Sequence, residues 1–169
     1  MIKVSFSPNG GCEADVISVL NSEASLLRIA IYSFTNANIA AAILAAVKRK
    51  VNVLIIMDQS QTAGVQAKYY DQFLKAGAHV KLLKGTGSYG MMHNKFTAAG
   101  KLVTTGSFNY TQNAQFNNFE NVLTLDDAAT IAIYQVKFDI MFAQAKVERP
   151  SFITSLKRFF RSPRLEMSI

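Results

Sequence analysis

Residues 91–110 read MMHNKFTAAGKLVTTGSFNY. His93 stands two residues before Lys95, and a Gly-Ser-Phe-Asn turn follows at 106–109. Side chains two apart on a strand share a face. His93 and Lys95 would then point one way, and Ser107 and Asn109 would pair in the same manner. Glu120, in NNFENVL, precedes a further apolar stretch and could reach the same cluster. A histidine near its ordinary pKa can act as nucleophile, acid or base around neutrality. A carboxylate beside it would fix its tautomer and stabilise its charged form. Lysine, serine and asparagine side chains donate hydrogen bonds, which suits the non-bridging oxygens of a phosphate. No set of histidine, cysteine or acidic residues has metal-ligand spacing. The chemistry this pattern predicts is metal-free phosphoryl transfer, without a cofactor.

Such a cluster needs a frame. IKVSFS alternates and reads as a strand. CEADVISVLNSEA places Val16, Ile17, Val19 and Leu20 on one helical face. SLLRIAIYSF and VNVLIIMD are nearly continuous apolar runs, the pattern of strands buried on both sides. ANIAAAILAAVKRK and VQAKYYDQFLKAGA read as helices, the second closed by Gly77, and HVKLLK as a short strand. The alternation predicts an α/β fold with helices on both faces of a sheet. MMHNKFTA and KLVTTGSF then read as a hairpin joined by a tight Ala99–Gly100 turn, and NVLTL as a further strand. DAATIAIYQVKFDIMFAQAKVE reads as a long helix, capped by Asp126 or Asp127 and ended by Pro150.

At 169 residues, half of them hydrophobic, the chain is long enough for one domain with a full core. No apolar run reaches the roughly 18 residues of a membrane span. The first residues lack the pattern of a signal peptide, so a cytoplasmic location is expected. Cys12 is the single cysteine, which excludes an internal disulfide, and it reads as a packing residue. The net charge of +7 suits an anionic partner, either nucleic acid or a lipid headgroup. We divide the chain into a domain, 1–149, and a basic tail, 150–169. The tail sets Lys157, Arg158, Arg161 and Arg164 among Phe152, Phe159 and Phe160. Such interleaving fits single-stranded nucleic acid, through phosphate contacts and stacking. It also fits an anionic membrane surface, or a plain solvated terminus.

HNK, then GSFN, then NNFEN resembles the HxK(x)4D…GSxN pattern of the phospholipase D superfamily, most of all its small single-motif bacterial nucleases. VSFSPNGGCEADVISVLNSEASLLRIAIYSFTNANIAAAI is similar to the N-terminal βαβ region of that family. The resemblance implies a single domain in which a mixed β-sheet is sandwiched between helices. It implies that His93 is the nucleophile of a phosphohistidine intermediate and that Lys95 and Asn109 hold phosphate oxygens. Ser107 would orient the pocket, and Glu120 would hydrogen-bond the histidine. One position departs from the pattern: Gly100 stands where the motif has aspartate. That change implies a looser hairpin or lower activity.

One histidine is not enough, because covalent cleavage of a phosphodiester also needs an acid for the leaving oxygen. His79, in GAHVKLL, has no lysine or GSxN partner. A C₂ homodimer would bring two copies of the cluster to one axis. The expected function is therefore a metal-independent endonuclease of little sequence preference, acting on DNA first and RNA second. Two alternatives stand beside it. One is a phospholipase D or phosphatidyl transferase, which would use the same residues. The other is a catalytically weak or inactive nucleic-acid-binding dimer, the reading Gly100 favours.

Overall fold

The computed structural model describes residues 2–62 and 65–147. Its strands are β1 (Ile2–Ser7), β2 (Leu26–Ile31), β3 (Asn52–Asp58), β4 (His79–Leu83), β5 (Lys95–Ala98), β6 (Val103–Gly106) and β7 (Glu120–Leu125). They form one mixed sheet in the order β1-β7-β6-β5-β2-β3-β4. β2, β3 and β4 run parallel, and every other neighbouring pair is antiparallel. The helices are α1 (Cys12–Ser22), α2 (Ala37–Lys48), α3 (Val65–Ala76), α4 (Gln112–Phe116) and α5 (Ala128–Gln144).

Strand parity builds the layers. Leu27, Ile29 and Ile31 of β2 join Val16 and Leu20 of α1, Ile43 of α2 and Phe73 of α3 in one core. Ala30, one residue out of phase, joins Phe96 of β5 and Ile131, Phe138 and Met141 of α5 in a second core. Both faces of β2 are thus covered, which is why its sequence is apolar without alternation. The fold is the expected mixed sheet between helices. Asn36 caps α2 through Asn38 N and Ile39 N, and Asp127 caps α5 through Thr130 N. Gly77, at φ +101°, lets the chain leave α3.

Boundaries around the site differ from the sequence reading. The strand expected over MMHNKFTA begins only at Lys95, because Met92 N donates to the Asp58 carboxylate at 2.7 Å instead of to a neighbouring strand. Ala99 N bonds Leu102 O at 2.8 Å, so Gly100 and Lys101, not Ala99 and Gly100, form the hairpin corner. The long helix stops at Gln144, well before Pro150. Ala145 is extended, and Lys146 exchanges backbone bonds with Leu82 at the β4 edge. The proposed division at 149, and the tail with Lys157, Arg158, Arg161 and Arg164, lie outside the described residues.

Candidate active site

The sheet's pairing brings chemistry to one end. Lys95 opens β5 opposite Ile31, which ends β2; Gly106 ends β6; Glu120 opens β7 opposite Ser7, which ends β1; and Asp58 ends β3. Ligand sites of parallel strands gather at their C-terminal ends. Here the antiparallel strands add their own residues to that end.

Lys95 is only 9% exposed. Its ammonium donates to His93 O at 2.8 Å and lies 3.0 Å from His93 Nδ1. Tyr32, just past β2, tilts its ring over His93 with centroids 4.4 Å apart, and Lys95 Nζ sits 5.0 Å from the same ring. Burial pulls the Lys95 pKa down from its ordinary value, and the Glu120 carboxylate opposes that pull. Partial burial, then the Lys95 charge, lowers the His93 pKa, while Asp58 works the other way. Burial and the Lys95 charge thus both favour the neutral form of the imidazole.

The GSFN turn is fixed from two sides. Gly106 sits at φ +155°, and a Cβ there would lie 2.1 Å from Asn121 O. Ser107 N donates to Asn121 O, and Ser107 Oγ accepts from Asn121 N at 3.1 Å, so the serine ties the turn to β7. On the other side Tyr110 O accepts from Thr35 N and Asn36 N at 2.8 and 2.9 Å. The Tyr110 hydroxyl lies 2.6 Å from Thr97 Oγ1, and burial pushes its pKa up to about 12. Between these anchors Asn109 holds a buried Oδ1 with no hydrogen-bond partner.

Glu120 accepts from Asn118 Nδ2 at 3.1 Å, and among the described residues no hydrogen bond joins it to His93. Its charge is nonetheless felt by Lys95. Lys95 thus stands electrostatically between the imidazole and the carboxylate. Tyr32 and Asp58 are contributors the sequence reading missed. Their signal was position: each stands at or just past the C-terminal end of a buried parallel strand. His79 opens β4, opposite Leu54, at the other end of the sheet. Gly100 also lies at that far end. Cys12 is fully buried, and burial raises its thiol pKa, as suits a packing residue. Among the described residues no group of three or more His, Cys, Asp or Glu side chains could hold a metal ion, and no helix is long and apolar enough to cross a membrane.

Residues 16–142 match the family described as cardiolipin synthase, phospholipase D-like domain. The mitochondrial cardiolipin hydrolase of Chlamydomonas reinhardtii is 36% identical over 131 residues, 77% of this chain and 57% of that protein. A phospholipase D of Rickettsia prowazekii (strain Madrid E) is 28% identical over 128 residues, 75% of this chain and 60% of that one. The chain thus spans less than two thirds of the length of these relatives. The structure of Nuc, a phospholipase D family member from Salmonella typhimurium, matches with TM-score 0.81 at 26% identity, covering 88% of this chain and 98% of that one. NucT from Helicobacter pylori matches with TM-score 0.74 at 31% identity, covering 86% and 99%. A family match over most of the chain, with the same fold, leads to one conclusion: the chain belongs to the phospholipase D superfamily, a superfamily of phosphodiesterases.

Proposed function

We propose that this protein is a metal-independent phosphodiesterase that cleaves nucleic acid through a phosphohistidine on His93, in a site shared by two copies of the chain. The observation that carries the reading is the Lys95 ammonium held 3.0 Å from His93 Nδ1 on a nearly buried stem. While Nδ1 accepts from Lys95, the neutral imidazole keeps its proton on Nε2. A substrate phosphate draws the ammonium to its own oxygens. Nδ1 then takes the proton and donates it toward Glu120, and the Nε2 lone pair is free to attack phosphorus. The P–O bond breaks, and His93 of the partner subunit, which enters the reaction as the imidazolium while the nucleophile is neutral, protonates the leaving oxygen. Water then attacks the phosphohistidine, gives its proton back to that second histidine, and releases the phosphomonoester. Asn109 and Lys95 hold the non-bridging oxygens as charge builds on them.

Two observations support nucleic acid as the substrate. The chain carries a charge of +7, and it matches nearly the whole of Nuc and NucT but only 57% of the cardiolipin hydrolase. The names of the hydrolase and phospholipase relatives favour the second reading, a lipid phosphodiester at the same residues. The test is cleavage of plasmid and single-stranded DNA in excess EDTA, with phosphatidylcholine and cardiolipin vesicles in parallel, comparing wild type with His93→Ala. The expected result is DNA cleavage in EDTA that falls by about three orders of magnitude or more in the variant. Cleavage of vesicles alone would install the lipid reading, and loss of all activity in EDTA would overturn the metal-free mechanism.

A further inference from the structure

Glu23, between α1 and β2, is a carboxylate in an unusual place: 9% exposed, at the end of the sheet opposite the active site. Its two oxygens divide their work. Oε1 accepts from Ala24 N, Ser25 N, Ser25 Oγ and Leu26 N at 2.9, 2.7, 2.8 and 3.3 Å. Oε2 accepts from Gly100 N at 2.6 Å, across the sheet in the β5–β6 corner. Arg49, which caps the end of α2, donates to Glu23 O and Leu20 O, which fixes the loop that carries the glutamate.

The register gives these bonds their meaning. β2 and β5 pair Arg28 with Ala98, Ile29 with Thr97, Ala30 with Phe96 and Ile31 with Lys95. Carried one alternate step beyond Arg28–Ala98, the same register sets Leu26 opposite Gly100. Those are two of the residues whose N–H groups share the Glu23 carboxylate. The far end of this ladder is the Ile31–Lys95 pair, beside the active site. A slip of one residue would turn Lys95 onto the α5 face and separate it from His93 and Tyr32.

We propose that Glu23 is a positioning residue that supplies, from the loop leading into β2, the carboxylate that the superfamily motif places at position 100. It clamps the start of β2 to the end of β5, and so sets the register that delivers Lys95 to His93. The geometry makes the two positions alternatives. A Cβ built on Gly100 lies 3.3 Å from Glu23 Oε2, so an aspartate there would bring its carboxylate onto the place Glu23 now fills. Gly100 has no positive φ, so the backbone does not oppose a side chain. Aspartate at 100 with Glu23 present would set two carboxylates against each other; aspartate at 100 without Glu23 would restore one carboxylate to the N–H groups of Ala24, Ser25 and Leu26. The role of the clamp in catalysis rests on the phosphodiesterase reading, but the clamp itself does not.

The experiment is a transposition series: Glu23→Ala, Glu23→Gln, Gly100→Asp, and the double variant Glu23→Ala with Gly100→Asp. Each is measured for melting temperature, for amide hydrogen exchange in β5 and for kcat and KM. Glu23→Ala and Gly100→Asp should each lower Tm by roughly 5–10 °C and speed exchange at Phe96 and Thr97. Both should reduce kcat by about ten- to a hundredfold with little change in KM. Glu23→Gln keeps one acceptor oxygen and should fall between, which keeps the test open if the alanine variant does not fold. The double variant should regain most of the Tm, the β5 protection and kcat. A double variant no better than the worse single, or a Glu23→Ala protein with wild-type β5 exchange, would overturn the proposal. Melting and exchange need no substrate, so a clamp that transposes in an inactive wild type would sink the functional reading alone.

Discussion

At the scale of single residues, the pair His93–Lys95 carries a testable pH signature. The Lys95 charge is one of the causes that lower the His93 pKa. Lys95→Met removes that cause, so the imidazole should titrate at higher pH, which histidine NMR can follow directly. The acid limb of the kcat/KM profile, where the nucleophile becomes protonated, should move upward with it. In wild type the folded pKa is depressed, so the histidine's contribution to stability is complete above its unfolded value and is lost as pH falls. Lys95→Met should also reduce kcat by roughly 10²–10³-fold, the scale for losing a donor aimed at developing charge. Asn109→Ala makes a contrasting prediction. Its Oδ1 has no partner in the free protein, so truncation gives up no hydrogen bond there. The variant should melt within about 2 °C of wild type yet lose roughly a hundredfold in kcat. His93, Lys95 and Asn109 were visible in the sequence because local spacing exposes them. Tyr32 and Asp58 were not, because they approach His93 only after β2 is laid beside β5 and β3 beside β2, and no local pattern records that pairing.

At the scale of elements, the site depends on where strands end. The apolar runs of β2 and β3 were legible because burial on both faces leaves no alternation to misread. The start of β5 was not. A side-chain acceptor, Asp58, competes for the Met92 N–H, and hydrophobic patterning cannot see that competition. Asp58 is 1% exposed and also caps the 3₁₀ turn Gln59–Gln61 through Ser60 N. Asp58→Ala would strand two backbone donors, at a cost of about 2–4 kcal/mol. It would also release Met91–Asn94, so a urea titration should show a lower midpoint at unchanged slope, with kcat falling alongside. At the opposite sheet end strong acid should loosen the Glu23 clamp. Burial alone would raise that carboxyl, but the donors from Gly100, Ser25 and Leu26 bring its pKa down to about 2. A depressed carboxylate contributes stability that is full above its ordinary value and is lost as pH falls toward the folded one. Exchange protection at Gly100 should therefore decline between about pH 4.5 and 2.

For the whole molecule, the sheet is covered unevenly. α1, α2 and α3 pack on one face, whereas α5 lies against β2, β4 and β5 on the other. Beyond the reach of α5, the edge strand β1 turns Ile2, Val4 and Phe6 outward, all exposed. Phe119 is 92% exposed beside them. Phe6, Pro8 and Phe119 line a depression whose polar wall is Glu120 and Asn121. An apolar surface of this kind, next to a site that needs a second acid, is where a two-fold partner would complete both the core and the chemistry. A stable homodimer requires roughly 800 Å² buried per chain, and aromatic anchors at its centre dominate its energy. Phe119→Asp tests this placement, because the residue touches solvent in the single chain and its change should leave the fold intact. Light scattering should find wild type at twice 18.6 kDa and the variant at 18.6 kDa, with a similar melting curve at high protein concentration. Cleavage should fall in the variant by the same order as in His93→Ala, because in the proposed mechanism a lone chain has the nucleophile and no acid. A monomeric Phe119→Asp protein with wild-type turnover would mean that one chain holds the whole reaction. The leaving oxygen would then take its proton from a group in the same chain, and the two-fold site would be wrong.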